Sequence, residues 1–360
     1  MARINTNPKL VAIFIIYFFM TSQVFTHGQQ VPCLFFFGAS LTDNGNNNML
    51  NTVLKSNYPP YGIDFSAGPT GRFSNGKNTP DFIAQLLGFN NPIPPFATAT
   101  GPAIVKGVNY ASAGAGILDN TSRALGDRIS LNRQLSNHQI TISGLSSLLG
   151  PSTQVQDYLN KCLYIVEIGS NDYVNNYIQP QNYPETASLT PDQFAALLIQ
   201  QYTTQLNALY NSGARKVAIY GVPPVGCIPQ VRAMFPPNAS GCVDYVNNYA
   251  QLFNNRLKPL VDNLNANLTG AKFTYINMHG ILISILASLS TFVSGTPCCA
   301  VSSAGVCVPN QAPCINRALY VFFDNYHTTE IINSFVAARV YISVSATDAY
   351  PFDLKNLAQQ

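Results

Sequence analysis

The fold of this chain is indicated by a short stretch near its start, Phe35-Phe36-Phe37-Gly38-Ala39-Ser40. The apolar run has the length of one buried strand, and it stops at a glycine that is soon followed by a serine. In open α/β folds, ligands bind at the carboxyl ends of the parallel strands. The stretch therefore predicts a strand that presents the Ser40 hydroxyl at a ligand-binding edge. The alternative role for this serine is a helix cap, where serine is common.

A second stretch, Asp324-Asn325-Tyr326-His327, places an aspartate three residues before a histidine. On a turn or a first helical turn, two side chains at this spacing point the same way. A serine becomes a nucleophile when a base takes its proton, and the base needs an orienting carboxylate. Ser40, His327 and Asp324 are thus a candidate nucleophile, base and orienting group. Taken singly, the alternatives are a helix cap for Asp324 and a surface position for His327.

Acyl transfer also requires hydrogen-bond donors for the tetrahedral oxyanion. Segment 107–116 ends in small residues, whose backbone N–H groups can approach a ligand closely. Segment 168–173 contains Asn171, whose side-chain amide is a second possible donor. Ordinary strand-to-helix turns are the alternative for both segments.

Five short apolar runs predict buried parallel strands, at 33–37, 108–111, 162–168, 216–221 and 272–276. Between them, amphipathic patterns predict helices at 79–87, 191–210, 244–264 and 328–342. Alternating strands and helices favour a doubly wound α/β sheet with right-handed crossovers. The long irregular segments 56–78 and 295–316 are candidate rims of an active-site groove.

The first 28 residues have the pattern of a secretory signal peptide. Arg3 and Lys9 precede a short apolar run, which is shorter than a membrane span usually requires; a membrane anchor is the alternative. We therefore expect a signal peptide at 1–28 and a single domain at 29–360. Removing Arg3 and Lys9 changes the formal charge from +3 to +1 (3 − 2). A nearly neutral mature surface argues against a nucleic-acid partner.

Two further features fit a secreted protein. Sequons for N-glycosylation begin at Asn120, Asn238 and Asn267. Six cysteines fall in Pro/Gly-rich segments, which suits disulfides in an oxidising compartment; they are Cys227, Cys242, Cys298, Cys299, Cys307 and Cys314. Cys227 and Cys242 flank one Pro-rich loop, which predicts their pairing. The pairing of the last four is open, with zinc as the competing interpretation.

Cys33 and Cys162 differ from the other cysteines, because both lie in apolar strand-like runs. We expect them to be free, buried thiols.

The chain resembles the plant GDSL-type esterases/lipases of the SGNH hydrolase superfamily. The resemblance spans the predicted domain and rests on segments 61–65, 69–76, 107–116, 169–172, 221–227 and 320–327, together with the Ser40 stretch. It implies a three-layer α/β/α sandwich with a five-stranded, mostly parallel sheet. It also implies Ser40 as nucleophile, His327 as base and Asp324 as its orienting group, with no metal or organic cofactor. The oxyanion hole would consist of the Ser40 and Gly114 N–H groups and the Asn171 side chain.

The chain departs from the family pattern at three positions. The family's namesake motif has an aspartate where Ala39 stands, beside the nucleophile, which puts rate and loop order in doubt. Phe323 replaces the usual tryptophan, and Thr328 replaces the usual proline or glycine. These two changes concern packing and the start of the last helix.

The leading hypothesis is a secreted serine ester hydrolase acting on carboxylic esters, with lipid esters as one candidate class, and with no stable membrane insertion after signal cleavage. One alternative is an acyltransferase, in which an alcohol replaces water as acceptor. Another is a non-catalytic carbohydrate- or lipid-binding protein on a hydrolase scaffold, which the loss of the carboxylate at Ala39 suggests.

Overall fold

Four of the five predicted strands form a parallel sheet. The computed structural model describes residues 28–239 and 241–360. In it β1 (Leu34–Gly38), β2 (Leu163–Glu167), β3 (Lys216–Tyr220) and β4 (Lys272–Ile276) lie side by side in chain order. Every residue of β1 and β2 is buried, because helices cover both faces of the sheet.

The fifth strand is not the one expected. Residues 108–111 form only isolated bridges, in which Asn109 pairs with Phe36 of β1 and with Pro95. The link to β1 is kept by the Tyr110 N–H, which donates to the Phe36 carbonyl at 2.8 Å. The Ala111 N–H instead donates to the Asn109 side chain at 3.0 Å and is not available to a neighbouring strand. The fifth strand is instead β5 (Ala349–Tyr350), which pairs antiparallel with β4.

The bridged segment still fixes where the direction of the sheet reverses. After β1 the chain passes to residues 108–111 on one side of β1, and it then crosses to β2 on the other side. In doubly wound sheets a crevice opens at such a reversal, outside the carboxyl ends of the strands. Ser40 lies two residues beyond β1 and therefore at this crevice.

Nine α-helices of five or more residues are found in the described part of the chain. They are α1 (Thr79–Leu86), α2 (Leu131–Leu149), α3 (Ser152–Leu159), α4 (Pro191–Asn211), α5 (Pro229–Met234), α6 (Asp244–Asn267), α7 (Met278–Ser288), α8 (Glu330–Tyr341) and α9 (Leu354–Ala358). The four predicted helices correspond to α1, α4, α6 and α8. The expected start of the last helix at 328 is too early, because Thr329 is the residue that precedes the first turn.

The helices form two layers around the sheet, as the three-layer prediction requires. One core lies between the sheet and α2, α3, α4 and α6, and it contains Phe35 and Phe37 of β1. The other lies between the opposite face and α1, α7, α8 and α9, and it contains Leu34 and Phe36. Alternate β1 side chains thus serve opposite cores, as the period of two in a strand demands.

Four disulfides are present, and one of them corrects the sequence analysis. Cys33 and Cys162, expected to be free thiols, are joined. Both are fully buried, as expected, but they directly precede β1 and β2. The register pairs Leu34 with Leu163, so the two cysteines lie opposite each other with Cα atoms 4.8 Å apart. This spacing lies within the usual range for a disulfide.

The remaining six cysteines also form disulfides. Cys227 is bonded to Cys242, the pairing predicted from the sequence. The last four are paired as Cys298–Cys314 and Cys299–Cys307. With these thiols in disulfides, the zinc interpretation of the cluster has no thiolate ligands left.

Candidate active site

Ser40 is carried by a tight turn at the end of β1. The Ala39 N–H donates to the carbonyl oxygen of Glu167 at 3.2 Å and so continues the pairing with β2. The chain then turns, because the N–H groups of Thr42 and Asp43 both donate to the Ala39 carbonyl, at 3.1 and 3.0 Å. Ala39 is buried, whereas Ser40 is partly exposed to a pocket. The turn therefore lifts the serine out of the sheet edge.

Asp324 and His327 form a buried pair on the loop before α8. The His327 Nδ1 atom lies 2.7 Å from Asp324 Oδ2, and the histidine backbone N–H donates to Asp324 Oδ1 at 2.8 Å. The Tyr326 N–H donates to the same oxygen at 2.8 Å. Asp324 is fully buried and His327 nearly so. Because the carboxylate engages Nδ1, the other ring nitrogen, Nε2, is the one left to exchange a proton in the pocket.

Tyr61 forms a hydrogen bond to this pair, and the sequence analysis gave it no role. Its hydroxyl donates to Asp324 Oδ2 at 2.6 Å and accepts from the Cys307 N–H at 3.0 Å. Burial, reinforced by the negative charge of Asp324, raises the pKa of Tyr61 well above its usual value. The phenol therefore stays protonated and acts as a hydrogen-bond donor to the carboxylate, which fixes the position of Asp324.

Candidate oxyanion donors surround Ser40. No acceptor within residues 28–239 and 241–360 takes the Ser40 or Gly114 N–H, so both are available to a ligand. The Asn171 amide donates one proton to the Ala115 carbonyl at 2.9 Å, while its oxygen accepts from Asn175 at 3.0 Å. An amide nitrogen carries two protons, so the second Asn171 proton is free in a side chain whose orientation is fixed.

These groups share one pocket. Ser40, Gly114, Asn171 and His327 all line it, and Phe73 packs its ring against the imidazole with centroids 4.6 Å apart. The structure thus brings together a hydroxyl, an imidazole with a buried carboxylate, and three N–H donors from four separate parts of the chain. This is the constellation required for acyl transfer at a serine.

Comparison with known proteins agrees with the geometry. The family model described as GDSL-like Lipase/Acylhydrolase matches residues 34–340. The chain belongs to this family. It is 52% identical to GDSL esterase/lipase At1g29670 of Arabidopsis thaliana over 336 residues, which are 92% of each chain. It is also 46% identical to At4g18970 and 45% identical to At1g29660 of the same plant, with at least 91% of each chain covered. Membership makes the protein a carboxylic ester hydrolase.

A polar network holds the active-site loops of this GDSL hydrolase together. Asp43 accepts from the N–H groups of Gly45 and Asn46, both at 2.7 Å, and from Ala113 at 3.0 Å. The Asn47 amide donates to the Ala113 carbonyl at 3.0 Å. The turn that carries Ser40 is thereby tied to the segment that carries Gly114. The sequence analysis quoted none of these side chains as functional, although the four Asn and Asp residues within 43–47 were a visible signal.

This network bears on the missing aspartate of the GDSL motif. Ala39 is 4% exposed, and its neighbours Asp43, Asn46 and Asn47 provide the links between the loops. The turn that carries Ser40 is thus held by Asp43, Asn46 and Asn47, with no carboxylate at position 39. The effect of Ala39 on the rate stays a prediction.

The predicted rim segments have different positions. Segment 56–78 contributes Phe73 to the pocket lining, whereas no residue of 295–316 is part of that lining. The disulfide-linked segment packs behind the site instead, where Val306 and Cys307 join Tyr61, Phe73 and Phe323 in a small core. Segment 295–316 is thus a support for the Asp324 loop.

We expect Asp43→Asn to lower kcat/KM by about 10- to 100-fold, because an error of about one ångström in a catalytic group can have that effect. The amide would turn an N–H toward one of the three backbone donors, and a buried unpaired donor costs about 1–3 kcal/mol. Ester hydrolysis and thermal unfolding measure both effects. Asp127→Asn is the matched control, since Asp127 forms an exposed ion pair with Arg133. Equal behaviour of the two variants would show that the network has no role.

Proposed function

We propose that the protein is a secreted hydrolase that cleaves carboxylic esters, lipid esters among them, through an acyl-enzyme on Ser40. The observation that carries the proposal is the shared pocket, in which Ser40 and His327 face the same space and Asp324 engages the far side of the imidazole. A histidine held in this way has its basic nitrogen directed at the reacting groups.

The geometry supports a two-stage reaction. The Ser40 Oγ attacks the ester carbonyl while His327 Nε2 takes the hydroxyl proton. The charge on the carbonyl oxygen is stabilised by the N–H groups of Ser40 and Gly114 and by the free Asn171 proton. The imidazolium, stabilised by Asp324, then protonates the leaving alcohol as the C–O bond breaks. Water, deprotonated by His327, attacks the acyl-enzyme and releases the acid and Ser40.

The test combines a covalent probe with substrates. A fluorophosphonate should label the wild-type protein at Ser40, and p-nitrophenyl esters should be hydrolysed. A folded protein that reacts with neither would support the non-catalytic binding alternative. Adding an alcohol acceptor distinguishes hydrolysis from acyl transfer, because a new ester would then appear at the expense of the acid.

Secretion is part of the same proposal. The predicted signal segment lies outside the described residues apart from Gly28, and no helix in the described part is long and apolar enough to cross a membrane. Four disulfides support an oxidising compartment. Asn267 is exposed at the end of α6, whereas the Asn120 side chain is partly buried and donates to Glu185. Of these two, Asn267 is therefore the more accessible to a glycan.

We expect the mature protein to begin near Gln29 and to carry N-glycans. Intact mass before and after glycosidase treatment measures the glycans, and N-terminal peptide mapping locates the cleavage. Asn267→Gln should remove one glycan mass while leaving esterase activity unchanged. A product that retains Met1 and shows no mass change would contradict secretion.

A further inference from the structure

A second cavity lies beside the active-site pocket, between the sheet and three helices. Its walls come from β1, β2 and β3 on one side and from α1, α7 and α8 on the other. The lining is almost entirely hydrocarbon and includes Phe36, Ile83, Ile165, Leu282, Leu286 and Val336. A cavity of this composition favours an apolar ligand, because each methylene removed from water contributes about 0.8 kcal/mol.

The cavity adjoins the active-site pocket. Five residues line both spaces, namely Leu41, Glu167, Pro223, Ile228 and Tyr326. Leu41 directly follows Ser40 in the chain. A group bonded to Ser40 therefore has an apolar space that begins one residue away.

We propose that this cavity receives the acyl chain of the ester substrate, and that Glu167 at its mouth determines how well long chains are accepted. The proposal rests on the proposed function, since it concerns the group that Ser40 would carry. The occupant is an acyl chain because the lining has no cation for an anionic ligand and because Leu41, next to Ser40 in the chain, lines both the cavity and the active-site pocket.

Glu167 is unusual in this position. Its side chain is almost fully buried, and its carboxyl accepts a hydrogen bond from the Thr42 hydroxyl at 3.2 Å. Burial raises the pKa of Glu167 to about 8, with the Thr42 hydrogen bond opposing the shift. Below that pH the carboxyl is neutral and compatible with a hydrocarbon neighbour. Above it the group is charged, and covering a charge with hydrocarbon is costly.

The surroundings of Glu167 contain few groups that could mask this titration. Tyr220 on β3 and Tyr326 on the histidine loop line the cavity, and Tyr202 on α4 lies behind; burial raises the pKa of all three phenols. The buried Tyr220 hydroxyl has no hydrogen-bond partner among the described residues. His327 lines the adjoining pocket. The test below therefore uses the rate with a short-chain substrate as its reference.

The cavity is tested by filling it. Leu282→Trp places a larger side chain in the lining, and Ile283→Trp is the matched control because Ile283 is 40% exposed on the same helix. The measurement is kcat/KM for p-nitrophenyl esters of long and short acyl chains. We expect the long-to-short ratio to fall about ten-fold or more in the first variant, the usual effect of losing one or two methylene contacts. The control should leave this ratio unchanged.

The role of Glu167 is tested by pH. In the wild type the long-to-short ratio should fall as pH rises through about 8, because Glu167 then becomes charged. In Glu167→Gln the ratio should stay constant between pH 6 and 9.5. Dividing by the short-chain rate removes the pH dependence of the chemical step, which affects both substrates alike. This variant also keeps the test valid if Leu282→Trp fails to fold.

Three outcomes would overturn the inference. The ratio could be the same in Leu282→Trp and Ile283→Trp, or it could keep its pH dependence in Glu167→Gln. Alternatively, acetate esters of graded alcohols could respond to Leu282→Trp where graded acyl chains do not, which would assign the cavity to the alcohol. If these tests contradict the cavity inference but Ser40→Ala still abolishes activity, the proposed function stands. Failure of the inference and failure of the proposed function are therefore distinguishable.

Discussion

Replacing Ser40 with alanine is expected to lower kcat for ester hydrolysis by a factor on the order of 10⁴ or more, since removing a nucleophile disables both stages of the reaction. The melting temperature should stay close to that of the wild type. Ser40 is partly exposed at a turn, so the lost hydroxyl leaves no core cavity. Initial rates with a p-nitrophenyl ester, together with thermal unfolding, measure both quantities.

Ser136→Ala is the matched control for this variant. Ser136 is exposed on α2, where its hydroxyl bonds only to the carbonyl of the preceding turn. This control should keep full activity and full fluorophosphonate labelling, whereas Ser40→Ala should lose both. Activity of Ser40→Ala within a few-fold of the wild type would reject Ser40 as the nucleophile.

Replacing Asp324 with asparagine is expected to lower kcat by about 10²- to 10⁴-fold. The carboxylate accepts from His327 Nδ1, from two backbone N–H groups and from the Tyr61 hydroxyl. An asparagine can accept fewer of these and would favour the wrong imidazole tautomer, which is the known effect of this substitution in serine hydrolases. Tyr61→Phe removes only one of the four donors, so its effect on kcat should be much smaller. Steady-state kinetics of the two variants gives the comparison.

Asp157→Asn is the control here, because Asp157 is exposed on α3. His327→Ala should lose about as much activity as Ser40→Ala, since the base acts in both stages. If Asp324→Asn retained near wild-type kcat in a stably folded protein, the carboxylate would have no part in orienting the histidine.

Much of the site was predictable because it is encoded locally. The strand that ends at Gly38 is an apolar run of fixed length, and the turn after it follows from the glycine. The pairing of Asp324 with His327 spans three residues, so a single turn of chain brings the two side chains together. The helix α1 begins at its predicted residue because a capping box of Asn78 and Asp81 fixes the first turn.

Other features depended on contacts between distant parts of the chain. Tyr61 donates to Asp324 across 263 residues, and the amides of Asn46 and Asn47 donate to carbonyls of the Gly114 segment more than 60 residues away. Tyrosine and asparagine have many structural uses, so their presence in a sequence does not identify a partner. The strand expected at 108–111 is reduced to isolated bridges, in which Asn109 pairs with the distant Phe36 and with Pro95.

The sequence by itself determined the strand that ends just before Ser40, the Asp324–His327 pair and the main helices, because each of these follows from spacing within a few residues. Several such motifs in order along the chain also determined the family. Only the tertiary structure decided that Cys33 bonds Cys162 and that Glu167 stands between the active-site pocket and an apolar cavity. Both depend on the register between β1 and β2, which pairs residues about 129 positions apart. That register is set by the packing of whole strands against two helical layers, so a local stretch of sequence does not predict it.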